Sequence, residues 1–199
     1  MGITERRLRE KAAVRSGILA TAWELVLQDG WQSLSIRKIA DAIEYSVPVI
    51  YDHFENKEAI LAEFAKEGFR QVFKKMQQAK MKSDDPAEQL RAIAHAYWHF
   101  AFRNKEYFQL MYGVGMPGCE IEKCLPEIDD FKRLVMDPIT AIISKGKNTG
   151  VDPFFKYFTF WSILYGLISI KNMGSLPAHD EVNKIVLDDA IKGFIKNLY

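Results

Sequence analysis

Over residues 35–61, hydroxyl, cationic and imidazole groups recur at spacings that suit a phosphate backbone. Ser35 stands just ahead of Arg37 and Lys38, Ser46 just ahead of Val47, Pro48 and Val49, and Tyr51, His53 and Lys57 follow. Cations in the first turn of a helix oppose its dipole, at a cost of roughly 0.3–1 kcal/mol. A nucleic-acid phosphate at that helix end turns the penalty into attraction, with Ser35 and the backbone amides as further donors. The plainer reading of Arg37 and Lys38 is two solvated surface charges. Lys57 repeats the pattern at the next helix start, and the Tyr51 hydroxyl and His53 imidazole can also bond phosphate. Val47, Pro48 and Val49 cannot form bidentate bonds to bases. They can pack on thymine methyls in a major groove, which leaves polar specificity to Arg37 or to a basic N-terminal arm. That arm carries Arg6, Arg7, Arg9, Lys11 and Arg15 against Glu5 and Glu10, a local excess of three positive charges.

These groups act together only if short helices hold them, and the sequence reads that way. Val14, Ile18, Ala22, Leu25 and Val26 form one helical stripe that stops at Gly30. A second helix follows Ser35 as N-cap and turns Ile36, Ile39, Ala40 and Ile43 inward, with Ala40 small enough for a close helix crossing. A third, very short, follows Ser46. Because Pro48 has no N–H, the Ser46 cap is expected to serve Val49. Ile50 and Phe54 anchor it, and Glu44-Tyr45-Ser46 is a turn of the right length for a helix-turn-helix. Glu44 falls where a left-handed residue is needed, at a cost of about 1 kcal/mol. A fourth helix starts after Asn56 and runs to about residue 80, with Ile60, Leu61, Phe64, Gly68, Val72 and Met76 inward. Beyond the polar break at residues 80–89, helices are expected at about 86–103, 105–113, 128–147, 153–173 and 180–198, with Asp85, Asn104, Asp152 and Asp180 as caps. Residues 113–126, with three glycines and two prolines, form the longest irregular segment. The fold class is therefore all-α, with about nine helices.

The block GWQSLSIRKIADAIEYSVPVIYDHFENKEAIL resembles the TetR family of transcriptional regulators. The family pattern falls on Gly30, Trp31, Ser35, Ile39, Ala40, Ser46, Ile50, Tyr51, His53, Phe54, Lys57, Glu58 and Ile60 or Leu61. The chain departs from it at Glu44-Tyr45, where Gly-Val is usual, and at Pro48. The resemblance implies a helix-turn-helix DNA-binding domain at residues 1–56 and a helical ligand-sensing and dimerisation domain at 57–199. It also implies a homodimer that binds a palindromic operator in double-stranded DNA and represses until a small ligand releases it. The DNA-binding candidates are Ser35, Arg37, Ser46, Val47, Pro48, Val49, Tyr51, His53 and Lys57. Beyond residue 84 the likeness thins. One branch of the family has a Trp-x-x-x-His-Gly element that here reads Trp161 to Tyr165-Gly166, with the His replaced.

In the second half, residues 153–173 are apolar almost all round, and a helix buried on every side needs partners on every side. A symmetric interface with the last helix supplies them, and Gly166 would permit close approach. The dimer candidates are Trp161, Leu164, Tyr165, Ile168, Ile185 and Phe194. The ligand candidates are the aromatic and methionine positions Phe69, Tyr97, Trp98, Phe102, Phe108, Met111, Tyr112 and Met136, with His95 or His99 as polar contacts. Such stripes also build ordinary core. The expected effector is apolar or aromatic.

Composition excludes several other classes. At 199 residues with a formal charge of +1, the chain can bury a full core and shows no whole-protein bias toward nucleic acid. No catalytic triad, glycine-rich phosphate loop, paired-carboxylate motif or metal-spaced cluster is present, so no enzyme, cofactor or metal is expected. Cys119 and Cys124 read either as a redox pair or as two plain thiols. The longest apolar run, residues 157–170, is 14 residues against the ~20 that a bilayer span needs. With no secretory signal, a cytoplasmic protein away from the membrane is expected. The rival reading keeps the scaffold but drops the ligand: a nucleoid-associated or cell-division DNA-binding factor.

Overall fold

The computed structural model describes residues 2–112, 128–146, 150–172 and 180–199; the irregular segment at 113–126 with its two cysteines, and His179, lie outside them. Among the described residues there are nine α-helices and no strand. They are α1 (Ile3–Asp29), α2 (Ile36–Ala42), α3 (Val47–Tyr51), α4 (Lys57–Lys80), α5 (Pro86–Arg103), α6 (Lys105–Tyr112), α7 (Ile128–Lys145), α8 (Pro153–Asn172) and α9 (Asp180–Lys196). The all-α expectation and the helix count hold. No described helix is long and apolar enough to cross a membrane.

The chain divides into two compact units. The first takes α1–α3, α4 as far as Gly68, and α6 from Glu106; the second takes α4 from Phe69, α5 and α7–α9. The first unit is cut to length by polar punctuation. α1 stops at Gly30, whose φ of +77° is open to glycine at little cost and whose N–H reaches the Val26 carbonyl at 2.8 Å. Ser35 Oγ accepts the Lys38 N–H at 3.2 Å and starts α2. At the far end of α2, the Tyr45 N–H reaches the Ala40 carbonyl at 3.0 Å and the Glu44 N–H reaches Asp41 at 3.3 Å. This paired closure places Glu44 at φ +59°, among the described residues the one non-glycine with positive φ. Asn56 Oδ1 accepts the Ala59 N–H at 2.8 Å and starts α4.

Around these stops sits a core of Ile18, Ala22, Val26, Ile39, Ala40, Ile50, Phe54, Ile60 and Phe64, each with less than a tenth of its surface exposed. Ala40 is almost fully enclosed, as a close α2 crossing demands. Trp31 is buried, and its indole N–H donates to the Glu106 carbonyl at 2.7 Å. Trp23 stacks on Tyr107 at 4.3 Å. Gly68 is a genuine close approach, since a Cβ there would lie 2.8 Å from the Met111 sulfur.

The second unit relies on apolar stripes. α5 packs against α7, α8 and α9, and Asp85 Oδ1 starts it by accepting the Ala87 N–H at 3.2 Å. Asp152 Oδ1 starts α8 through the Phe154 N–H at 2.8 Å. Asn104 closes α5, where its backbone N–H reaches the Phe100 carbonyl at 2.9 Å. α8 departs from the expectation of burial all round. Within one chain only Phe160, Leu164 and Ile168 are fully enclosed, at i, i+4, i+8, while Phe154, Phe155, Phe158, Tyr165 and Ile170 stay exposed. Gly166 likewise serves no crossing inside the chain, because a Cβ there meets nothing within 4 Å. The close contact lies instead at Gly146, where a Cβ would be 2.8 Å from the Tyr199 carbonyl oxygen.

Candidate nucleic-acid interface

The structure assembles the nine DNA-binding candidates in the first unit, on α2, α3 and the start of α4. Ser35 is half-buried and spends its hydroxyl on capping α2, so its contribution toward a phosphate is to fix the helix end rather than to donate freely. Arg37 and Lys38 follow it and are exposed; Lys38 Nζ lies 3.7 Å from Asp29 Oδ2, a loose surface pair worth little. No acidic side chain occupies the first turn of α2. The dipole and the cations therefore act in the same sense, drawing an anion to this helix end.

At α3 one expectation is corrected. Ser46 stands at the N-cap position, but its side chain makes no capping bond, and Val49 N–H is satisfied by the Ser46 backbone carbonyl at 3.0 Å. With Pro48 lacking an N–H, the backbone closes the turn unaided and the Ser46 hydroxyl stays exposed. Val47 packs partly on the core of this unit, Val49 is half-buried and Pro48 is exposed. The α3 surface thus consists mainly of Ser46 and Pro48, with Tyr51 about half exposed. Tyr45, also about half exposed, extends this surface, although in the sequence it stands out only as a departure from the family pattern. The available signal was a large aromatic at a turn position that does not need one for core.

His53 follows the α3 C-cap Asp52, and its backbone N–H reaches the Ile50 carbonyl at 3.0 Å. It is half-buried, and its Nδ1 is enclosed without a hydrogen-bond partner among the described residues. A shallow concavity of about 430 Å³, bordered by Glu10, Lys11, Val14, Asp52 and His53, sets the basic start of α1 beside the end of α3. The arm's cations do not all face solvent alike. Arg15 lies 4.6 Å over the Phe54 ring and 3.3 Å from Glu63, and Arg6 pairs with Glu10 at 2.8 Å. Burial acts to raise the Glu63 carboxyl, but bonds from Lys66 and Arg15 outweigh it and hold it below the usual range. Lys57 is half-buried at the N-terminus of α4, where Glu58 also sits.

The remaining candidates are dispersed. Phe108, Met111 and Tyr112 belong to α6 in the first unit, and Phe69, Tyr97, Trp98, Phe102 and Met136 to the second. In the second unit, Phe69 meets Phe131 edge-on at 6.4 Å, Tyr97 meets Trp161 edge-on at 4.9 Å, and Trp98 lies 4.8 Å from Phe102. Met136 is half-buried on α7. Of the dimer candidates, Leu164, Ile168 and Phe194 are taken up in the core of the single chain, Trp161 is half-buried, and Tyr165 and Ile185 are exposed.

A capped α2, a backbone-closed turn and a short α3 presenting exposed side chains form a helix-turn-helix. Sequence comparison agrees. Residues 18–64 match the family model for bacterial regulatory proteins of the tetR family, and residues 90–192 match that for the tetracyclin repressor-like C-terminal domain. The chain belongs to the TetR family. Its members are DNA-binding transcriptional regulators rather than enzymes. Similar curated proteins include the uncharacterized HTH-type transcriptional regulators YobS and YuxN of Bacillus subtilis (strain 168). YobS is 26% identical over 146 residues, covering 73% of this chain and 64% of YobS. YuxN is 26% identical over 113 residues, covering 56% and 39%. The chain thus spans less than two-thirds of the length of either. Among solved structures, a Rhodococcus sp. RHA1 protein of unknown function shares the fold, with a TM-score of 0.76 and 23% identity over 92% of this chain and 94% of that one.

Proposed function

We propose that this TetR-family protein is a cytoplasmic repressor that binds a palindromic operator in double-stranded DNA as a homodimer and is released by a small apolar or aromatic effector. The observation that carries the reading is the start of α2: exposed Arg37 and Lys38 follow a capped helix end with no acidic side chain in its first turn. Phosphate there relieves a standing electrostatic penalty. Ser46, Pro48 and Tyr51 then meet the major groove, with Tyr45 beside them, and Lys57 and His53 clamp the backbone.

Two-fold symmetry is supported by the bare aromatic side of α8. Phe154, Phe155, Phe158 and Tyr165, with Val182 and Ile185 on α9, form an exposed apolar surface that a second copy would cover isologously. This moves the interface from Leu164, Ile168 and Phe194 toward the exposed residues of the same two helices. For the effector, Trp98 and Phe102 with Tyr97, Phe69 and Met136 are the candidates in the second unit, and Phe108, Met111 and Tyr112 those in the first.

The test is footprinting on DNA upstream of the protein's own gene, joined to sedimentation of the free protein. Protection of a palindrome by a dimer supports the reading. Protection without sequence preference, by a protein whose thermal stability no small molecule changes, favours the nucleoid-associated alternative.

A further inference from the structure

One row on α5, His95, His99 and Arg103 at i, i+4, i+8, borders two concavities. The first, about 410 Å³, lies toward α4 with Lys75 and Lys82 on its rim. The second, about 370 Å³, lies toward the end of α8 and the start of α9, where Lys171 and Lys184 face the row over Trp98 and Phe102. Five permanent cations thus line the pair of cavities, and among the lining residues Glu181 is the one carboxylate. Asp188 is engaged, with its Oδ1 2.7 Å from His95 Nε2. Lys171 Nζ stands 4.2 Å over the Phe102 ring and 5.3 Å over Trp98, a cation held on an aromatic floor.

Like charges gathered on a concave surface repel one another and concentrate field lines toward the cavity. His99 registers that field. Partial burial, then Arg103, His95 and Lys184, push its imidazole below the ordinary histidine range. An anion beside the imidazole opposes all three electrostatic causes. The aromatic floor on which Lys171 rests becomes a flat apolar surface for the rest of the molecule once that ammonium turns to the acid group.

We infer that the cleft bounded by α5, the end of α8 and α9 binds an organic acid, its carboxylate or phosphate held by Arg103, His99 and Lys184 and its apolar body laid against Phe102 and Trp98. The inference rests on the effector reading above and assigns the effector a negative charge. Because binding favours the imidazolium, affinity falls as pH rises through the histidine range. The groups that set this dependence are His95, His99 and Arg103 on α5, Lys171 on α8, Glu181, Lys184 and Asp188 on α9, Lys75 on α4 and Lys82 in the turn after it.

The experiment is calorimetric titration of the full chain with 2-naphthoate, octanoate, the neutral 2-naphthamide and inorganic phosphate, at pH values of about 6 and 8. Either acid should bind at one site per protomer, more tightly at the lower pH, and the amide about tenfold more weakly or not at all. Arg103→Ala and Lys184→Gln, both at exposed positions, should each cost about tenfold in acid affinity, since a charge-assisted bond is lost. The His99 imidazole resonance should titrate at higher pH in the complex. Equal binding of naphthoate and naphthamide, no binding of either acid, phosphate binding as tightly as both acids, or unchanged affinity in both variants would overturn the inference. Operator binding by the same preparation separates the two claims. Binding of DNA but no acid removes the anion site alone, and binding of acid but no DNA removes the regulatory reading alone.

Discussion

The two units of this protein hold themselves together differently. In the first, hydrogen-bonded stops set where each helix begins and ends, and the cations at the start of α2 are left facing outward against the dipole. In the second, long apolar stripes do the packing, and α8 leaves a bare aromatic surface that the chain does not cover. The first unit has unspent charge and the second unspent hydrophobic area. Each remainder names a partner, phosphate for one and a further apolar surface for the other.

The two units cease to differ in this way if the aromatic side of α8 is inert. Replacing Phe155 and Phe158 together by Asp should convert a dimer to monomers in sedimentation and weaken palindrome binding a hundredfold or more, by about 3 kcal/mol, because each residue occurs twice in a two-fold interface. A monomeric wild-type protein would remove the contrast. Next is Gly146→Val in the second unit. Its branched side chain would meet the Tyr199 backbone and should cost about 1–3 kcal/mol in denaturant midpoint, with operator contacts untouched. Within the first unit, Ser35→Ala should cost about 1 kcal/mol of stability through the lost cap. Ser46→Ala should cost far less stability, because its hydroxyl caps nothing, yet should weaken DNA binding. Equal stability losses would refute the assignment of roles. Smallest of all, Glu44→Gly should raise stability by about 0.5–1 kcal/mol, since glycine accepts the φ of +59° without Cβ strain.

What could be read from sequence follows the range of the interactions. The Gly30 stop, the caps at Ser35, Asn56, Asp85 and Asp152, and the left-handed Glu44 all depend on neighbours a few residues away, and all were legible. Ser46 misled because a side-chain cap and a backbone closure fit the same local pattern, and only geometry tells which Ser46 oxygen accepts the Val49 N–H. Gly146 gave no signal, because its partner Tyr199 lies at the far end of the chain. The division of α8 into an enclosed stripe and a bare side was hidden because its residues are apolar on both. The cationic cleft draws on helices far apart in sequence, so no local window contains it.

The most direct test of the central claim is salt-dependent anisotropy of a labelled duplex carrying the upstream palindrome. Phosphate contacts by Arg37, Lys57 and their neighbours predict a linear fall of log affinity with log salt. They also predict a slope shallower by about one for each Lys57 replaced by Ala, hence by about two in the dimer. Affinity that is independent of salt, or no binding even at low salt, would contradict the account.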